Sequence, residues 1–159
     1  MNWQEVMDNK SLRDLPFKIE LNRRGNIEMS PATNMHALWQ AEIAGLLREL
    51  QRGHGKPFTE ASVDTPEGVK VPDVAWASRA FILRHGYATP YPRSPEICVE
   101  IISPSNSELE MRTKAQLYFD QGALEVWLCD LGGRIRFVGV AGDLERSQLI
   151  SEFPTQLEL

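Results

Sequence analysis

Two acidic residues lie in segments that are otherwise apolar. Asp73 directly follows a proline within Val71–Val74, and Glu100 interrupts the apolar run Ile97–Ile102. A carboxylate in such a segment must be paired, protonated or bound to a cation, because an isolated buried charge costs several kcal/mol or more. Two such carboxylates indicate a site for a divalent metal ion.

The elements that carry these carboxylates follow from hydrophobic patterning. Residues 96–102 are predicted to form a central strand, because a near-continuous apolar run of this length is typical of a strand covered on both faces. Alternation places Glu100 on the same face as Cys98 and Ile102. A second strand, predicted over residues 69–75, carries Asp73 near its end.

The helix after the central strand carries a lysine toward Glu100. It is predicted over residues 108–121, starting at a capping box formed by Ser107 and Glu110. From Glu100 to the end of its strand the chain advances roughly 10 Å, and from the helix start to Lys114 it returns roughly 9 Å. Lys114 therefore reaches the level of Glu100. The alternative is an ordinary surface lysine paired with Glu110.

An earlier helix holds two further candidates. It is predicted from Thr33 or Asn34 to Leu50, where apolar residues recur with helical spacing. Glu42 falls inside that apolar stripe, whereas His36 lies on its opposite flank. Glu42 is either a glutamate at the edge of the core, reaching solvent or an arginine, or a carboxylate directed at a polar site beneath the helix.

The remaining elements predict an α+β fold. We expect a single domain over residues 1–159, with a mixed, largely antiparallel sheet and helices packed on it. The other predicted elements are a helix over 3–12, a hairpin of 17–21 with 27–29, strands over 58–63, 124–129, 134–140 and 148–150, and a short helix over 79–85.

Composition limits the function classes. The 159 residues carry a net charge of −5, so any nucleic-acid role depends on local basic patches rather than on an overall basic surface.

We expect two reduced, buried cysteines, because Cys98 and Cys129 lie in predicted strands without metal-binding spacing. No apolar run is long enough for a membrane span and no secretory signal is evident, so we expect a cytoplasmic protein with no membrane partner.

Several of these segments, taken in chain order, resemble the Uma-type endonuclease family, a branch of the PD-(D/E)XK fold. The matching segments are Ile19-Glu20-Leu21, Gly25, Met29-Ser30-Pro31, His36, Pro72-Asp73, Val99–Ser105, Lys114, Leu117-Tyr118, Gly122, Glu125-Val126-Trp127 and Asp130. The resemblance implies a restriction-endonuclease-like mixed sheet flanked by helices. It also implies metal-dependent hydrolysis of phosphodiester bonds in DNA, with Mg²⁺ or Mn²⁺ as the cofactor.

The resemblance also implies a role for individual residues at the metal. In the nuclease pattern the ion is coordinated by Asp73, by Glu100 and by the backbone carbonyl of Ile101. Glu42 matches a first-helix glutamate that provides an additional metal contact. Oxygen ligands of this kind suit magnesium, which is usually held by one or two carboxylates together with waters and phosphate oxygens.

One position departs from the parent nuclease pattern. The third residue of its E-X-K element is Ile102, which can neither donate a hydrogen bond nor stabilise a developing charge. Uma-type proteins keep a lysine on the following helix, and Lys114 matches it. We expect His36 either to contact a phosphate or to pack the first helix, and Arg112 to bind substrate.

Two other function classes remain open at this point. The chain could be a catalytically inactive nuclease-like domain that binds a metal, an anion or a partner, which would suit its negative charge. It could also be an acid/base enzyme of the glycosidase type, with Glu42 and Glu100 as the carboxylate pair. Exposed strand edges near the C-terminus, together with Trp127 and Phe137, would permit a homodimer.

Overall fold

The structure is a computed structural model that describes all residues from 1 to 159. Its four α-helices are Trp3–Asp8 (α1), Asn34–Leu50 (α2), Arg79–His85 (α3) and Glu108–Asp120 (α4), and a 3₁₀ turn covers Lys10–Leu12. Its ten strands are Phe17–Leu21 (β1), Ile27–Pro31 (β2), Gly55–Thr59 (β3), Val63–Thr65 (β4), Gly68–Lys70 (β5), Val74–Ser78 (β6), Ile97–Ile101 (β7), Glu125–Cys129 (β8), Ile135–Gly139 (β9) and Gly142–Leu144 (β10).

Six of the strands form one mixed sheet. Their order is β10-β9-β8-β7-β6-β3, and only β7 and β8 run parallel, joined by a crossover through α4. The hairpins β1-β2 and β4-β5 are separate two-stranded units. The predicted α+β class and the largely antiparallel sheet are confirmed.

Helices cover both faces of the central strand β7, as its apolar run predicts. On one face, Trp39, Ile43 and Leu47 of α2 pack in a cluster that includes the odd-numbered residues of β7. On the other face, Met111, Ala115 and Tyr118 of α4 pack with Cys98, Val126 and Leu128. Glu100 shares the second face, so it lies in a buried layer between the sheet and α4.

The segment before β6 differs from the prediction. Residues 58–63 and 69–75 were expected to be two strands, but residues 55–78 form four shorter ones. Asp73 therefore precedes β6 instead of lying within a strand. The reason is that Pro72 has no N–H to give to a sheet ladder, so strand pairing resumes only at Val74.

The C-terminal prediction of a strand over 148–150 is wrong. The carboxylate of Glu125 accepts hydrogen bonds from the backbone N–H groups of Gln148 (2.7 Å) and Leu149 (3.0 Å), and these donors are then not free for a ladder. The last strand is β10 instead.

Trp127 and Phe137 are buried in the core, so they cannot form the interface that was expected of them.

Two further predictions concern local features. The helix expected over 3–12 ends at Asp8, because the Asn9 backbone is extended and its side chain accepts from the Ser11 N–H. Cys98 and Cys129 are both buried free thiols, as predicted, and burial raises the pKa of each to about 12. None of the helices has the length and hydropathy required to cross a membrane.

Candidate active site

A polar cleft lies where β1, α2, β7 and α4 meet. It has a volume of about 320 Å³, and the charged or titratable side chains that line it are Lys18, His36, Glu100 and Lys114. These residues come from distant parts of the chain. The fold thus gathers an unusually dense group of ionisable side chains around the central strand.

Asp73 does not itself line this cleft but contacts Lys18 and His36, which do, and only 2% of its surface is exposed. One carboxylate oxygen, Oδ2, accepts the backbone N–H of Ile101 at 2.8 Å, which ties the loop before β6 to the end of β7. The other, Oδ1, lies 3.1 Å from Lys18 Nζ and 3.2 Å from His36 Nε2. Burial alone would raise the pKa of Asp73, but the His36 contact, the Lys18 charge and the Ile101 N–H lower it to about 2.

Glu100 is held through both of its oxygens. Oε1 accepts from the Tyr118 hydroxyl at 2.7 Å and lies 2.9 Å from Lys114 Nζ. Oε2 lies 3.1 Å from Lys18 Nζ. Asp73 and Glu100 therefore share one cation, the ammonium of Lys18, which lies within hydrogen-bonding distance of an oxygen of each.

Lys114 reaches Glu100, as the strand and helix rises predict. Its ammonium lies 2.9 Å from Glu100 Oε1 and 2.8 Å from Glu20 Oε1, and it makes no ion pair with Glu110. Burial would lower the pKa of Lys114, but the charges of Glu100 and Glu20 outweigh that effect and raise it. The amine is therefore protonated at neutral pH.

Lys18 and Glu20 are site residues that the sequence reasoning missed. They are two residues apart on β1, so both project from the same face, opposite the face that packs Ile19 and Leu21. Alternating charged and apolar residues on a strand are normally read as a solvent-facing side. The only signal was Glu20 within the matched segment Ile19-Glu20-Leu21.

The ionisation of these two residues follows from their partners. Burial would lower the pKa of Lys18, yet Glu100, Asp73 and Glu20 together raise it. Burial would raise the pKa of Glu20, yet the charges of Lys114 and Lys18 lower it. Lys18 is therefore protonated and Glu20 is deprotonated at neutral pH.

Tyr118 is another missed contributor. It belongs to the matched segment Leu117-Tyr118, to which no role was assigned, and its ring is fully buried. A buried tyrosine hydroxyl usually finds a hydrogen-bond partner, and here that partner is Glu100. Burial and the negative charge of Glu100 raise the pKa of Tyr118 well above its usual range, so the phenol is the donor.

The prediction that Glu42 is directed at a site beneath α2 is wrong. The buried face of α2 is centred on Trp39, Ile43 and Leu47, whereas Leu38 is 51% exposed. At 100° per residue, Glu42 lies a full 100° step from Ile43. It is exposed, and it does not line the cleft. The exposed Leu38 had shifted the inferred stripe toward Glu42, and the same finding removes the proposed Glu42 and Glu100 acid/base pair.

His36 does lie on the buried face of α2, next to the acidic pair. Its Nε2 faces Asp73, and its Nδ1 is buried without a hydrogen-bond partner. With both ring nitrogens turned inward, the geometry favours a positioning contact to Asp73 over a phosphate contact. Gln40, one helical turn later, donates to the backbone carbonyl of Asp73 at 2.8 Å.

Arg112 lies outside this group. Its guanidinium forms exposed ion pairs with Glu108 at 2.9 Å and with Asp143 at 3.4 Å. It lies on the outer surface of α4 and does not line the cleft. Arg112 is therefore not part of the cleft, and its substrate-binding role stays a prediction.

The donor set fits a hard divalent cation. No group of three His, Cys, Asp or Glu side chains is arranged to hold a metal ion, which argues against an all-protein cage. Two carboxylates, however, converge on the position of the Lys18 ammonium. A pair of carboxylates is the usual protein contribution to a magnesium site, with water and phosphate supplying the remaining oxygens.

Comparison with known proteins gives the family and the fold of the chain. The family model Uma2, described as "Putative restriction endonuclease", matches residues 9–154. A solved structure described as a "putative nuclease belonging to DUF820" from Anabaena variabilis ATCC 29413 superposes with a TM-score of 0.75. That alignment has 16% sequence identity and covers 98% of this chain and 94% of the other, so it shows a shared fold. Comparison with curated proteins gives no significant match.

Proposed function

The chain belongs to the Uma2 family, and from that premise we propose that it is a metal-dependent endonuclease that hydrolyses phosphodiester bonds in DNA. The observation that supports this most directly is the convergence of Asp73 and Glu100 on one cation position. Lys114 stands beside the same glutamate at 2.9 Å. Two acids that can hold a divalent metal ion, with a lysine beside them, are typical of enzymes that hydrolyse phosphodiester bonds.

Asp73 and Glu100 would hold Mg²⁺ or Mn²⁺, with the backbone carbonyl of Ile101 as a further ligand. When bound, the ion would polarise the scissile phosphate and lower the pKa of a water molecule. The Ile101 N–H donates to Asp73 Oδ2 and so fixes the orientation of the carboxylate. Its other oxygen, Oδ1, then points toward the cation position. His36 and Gln40 restrain the same aspartate from α2.

Lys114 would stabilise charge rather than accept a proton. Its raised pKa keeps the amine protonated, which excludes it as a general base at neutral pH. An ammonium has three N–H donors, and the contacts to Glu20 and Glu100 use two of them. The third is available for a phosphate oxygen or for the attacking water, where preorganised positive charge lowers the barrier.

Plasmid nicking in Mg²⁺ or Mn²⁺ tests the proposal. Asp73→Ala and Glu100→Gln should each lower the metal-dependent rate by a factor on the order of 10³ or more, because each removes a metal ligand. Glu42→Gln is the matched control, since it makes the same change on the exposed side of α2 and should leave the rate unchanged. Circular dichroism confirms that each variant is folded. Cleavage that persists in both site variants would overturn the proposal.

One observation favours a second candidate function. Both oxygens of Glu100 are already engaged by Tyr118, Lys114 and Lys18, so side chains of the protein itself occupy the contacts that a metal ion would need. Such closure suits a catalytically inactive nuclease-like domain that binds a metal, an anion or a partner. Tight Mn²⁺ binding without cleavage of duplex, single-stranded or branched DNA would favour this function over hydrolysis.

We also propose that the protein forms a homodimer, but without the contribution of Trp127 and Phe137 that the sequence suggested. Trp127 and Phe137 are buried, so the proposed contact is between exposed sheet edges, and β3 and β10 are the two edges of the six-stranded sheet. Gel filtration with light scattering measures the mass directly. A mass equal to one chain would exclude the dimer.

A further inference from the structure

Lys18 occupies the position that the acidic pair would offer to a metal ion. Its Nζ lies 3.1 Å from Asp73 Oδ1 and 3.1 Å from Glu100 Oε2. Both acids are almost fully buried, and the lysine side chain is 14% exposed. No other residue makes an ion pair with one oxygen of each of these acids.

The two lysines of the site therefore play different parts. Lys114 bridges Glu100 to Glu20 and makes no ion pair with Asp73. It can therefore stay in place when a metal ion replaces the Lys18 ammonium between Asp73 and Glu100. Lys18 cannot stay, because its ammonium and a metal ion would compete for the same two oxygens.

Charge balance points the same way. Counted without His36, whose imidazole contacts Asp73, three buried carboxylates, those of Glu20, Asp73 and Glu100, face two ammoniums, which leaves one excess negative charge. If Lys18 left, the remaining charge of −2 would be matched by one divalent cation. If Lys18 stayed, the ion would add an unpaired positive charge in a buried site, which is costly.

A second cavity gives the displaced side chain a place to go. It has a volume of about 620 Å³ and a mainly apolar lining, and the charged side chains that line it besides Lys18 are Arg13, Asp14 and Glu60. Lys18 thus stands between this cavity and the cleft that contains Glu100 and Lys114. Asp14 and Glu60 are both exposed at this cavity, so they are the carboxylates toward which a displaced ammonium would turn.

We propose that Lys18 is a built-in competitor for the metal position, which holds Asp73 and Glu100 together before the ion binds and moves to the neighbouring cavity when it does. This inference rests on the proposed metal site, but it assigns Lys18 a role that hydrolysis does not require. The affinity of the site for the metal ion would then depend on Lys18, which β1 places between the two acids.

Calorimetric titration with Mn²⁺, without nucleic acid, tests the competition. Lys18→Gln should bind Mn²⁺ roughly tenfold more tightly or better, because it removes a competing charge next to both ligands. Lys18→Arg retains the charge and should stay close to the wild type. Lys56→Gln is the matched control, since Lys56 is exposed and makes no ion pair. Unchanged affinity in Lys18→Gln, or an equal gain in Lys56→Gln, would overturn the proposal.

A second measurement uses the wild-type protein and does not depend on a variant that folds. Pulse labelling with an amine-reactive reagent, read by mass spectrometry, reports how accessible each lysine is. Lys18 and Lys114 are similarly shielded, with 14% and 17% of the side chain exposed. Saturating Mn²⁺ should raise the labelling of Lys18 severalfold and leave Lys114 unchanged. Labelling of Lys18 that stays constant, or that rises equally at Lys114, would overturn the proposal.

These outcomes are separable from those of the nuclease proposal. If the wild type cleaves DNA with metal but Lys18→Gln binds Mn²⁺ no better, the competitor role fails and the nuclease stands. If Lys18→Gln binds Mn²⁺ more tightly and no protein cleaves DNA, the competitor role stands and the inactive metal-binding domain replaces the nuclease.

Discussion

Acid titration of the buried aspartate tests the electrostatics of the site directly. The pKa of Asp73 is lowered from 3.8 to about 2 in the folded protein. A group with a depressed pKa stabilises the fold above its unfolded pKa and loses that contribution as the pH falls through the folded value. The contribution of Asp73 should therefore be complete above about pH 4 and disappear toward pH 2.

The magnitude follows from the size of the shift. At about 1.4 kcal/mol per pKa unit, the lowering corresponds to roughly 2 kcal/mol of unfolding free energy. Asp73 is 2% exposed, so solvent screening reduces this figure little. Carbon-13 detected NMR of the carboxyl group gives the pKa itself, and urea unfolding between pH 5 and pH 2.5 gives the loss of stability.

Two comparisons make the test decisive. Asp73→Asn should lose the share of the acid-dependent stability that Asp73 supplies, while the share of Glu20 remains; Asp64→Asn, at an exposed position, should keep the wild-type pH dependence. An Asp73 carboxyl that titrates near 4, or an Asp73→Asn variant with the wild-type pH dependence, would refute the assignment of Lys18, His36 and the Ile101 N–H as its stabilising partners.

Three further predictions address other contacts. Tyr118→Phe should lower the unfolding free energy by about 1–3 kcal/mol in urea titrations, because Glu100 loses a buried hydrogen bond; an unchanged midpoint would contradict this. Glu125→Gln should lower the unfolding free energy by about 2–4 kcal/mol and speed hydrogen exchange in the C-terminal segment. The Glu125 carboxylate accepts four hydrogen bonds, including one from Trp127, and an amide with a single carbonyl oxygen cannot accept all four. Lys114→Met should reduce DNA nicking by a factor on the order of 10² or more, and a wild-type rate would show that the lysine is not needed.

Much of the architecture was predictable because local signals agreed with the tertiary fold. The capping box at Ser107 set the start of α4, and the apolar run around Glu100 marked a strand covered on both sides. Together these two elements predicted that Lys114 reaches the level of Glu100, although they left open a pairing with Glu110 instead. A misfit carboxylate in an apolar strand was informative because burial of charge demands a partner.

The remaining features depend on long-range packing. Lys18 lies 55 residues before Asp73 and 82 before Glu100, and nothing in its strand distinguishes a side that faces a cluster from a side that faces water. Glu42 was misplaced because the exposed Leu38 extended the apparent apolar stripe of α2. In both cases the pattern gave the type of element correctly, but not which of its faces is buried.

The central claim is that Asp73 and Glu100 share a divalent cation, and a crystal soaked in Mn²⁺ tests it most directly. Anomalous scattering should show a peak within about 2.5 Å of an oxygen of each carboxylate, with the Lys18 ammonium moved away and Lys114 still beside Glu100. The absence of a peak at saturating Mn²⁺, with Lys18 still bridging the two acids, would contradict the account.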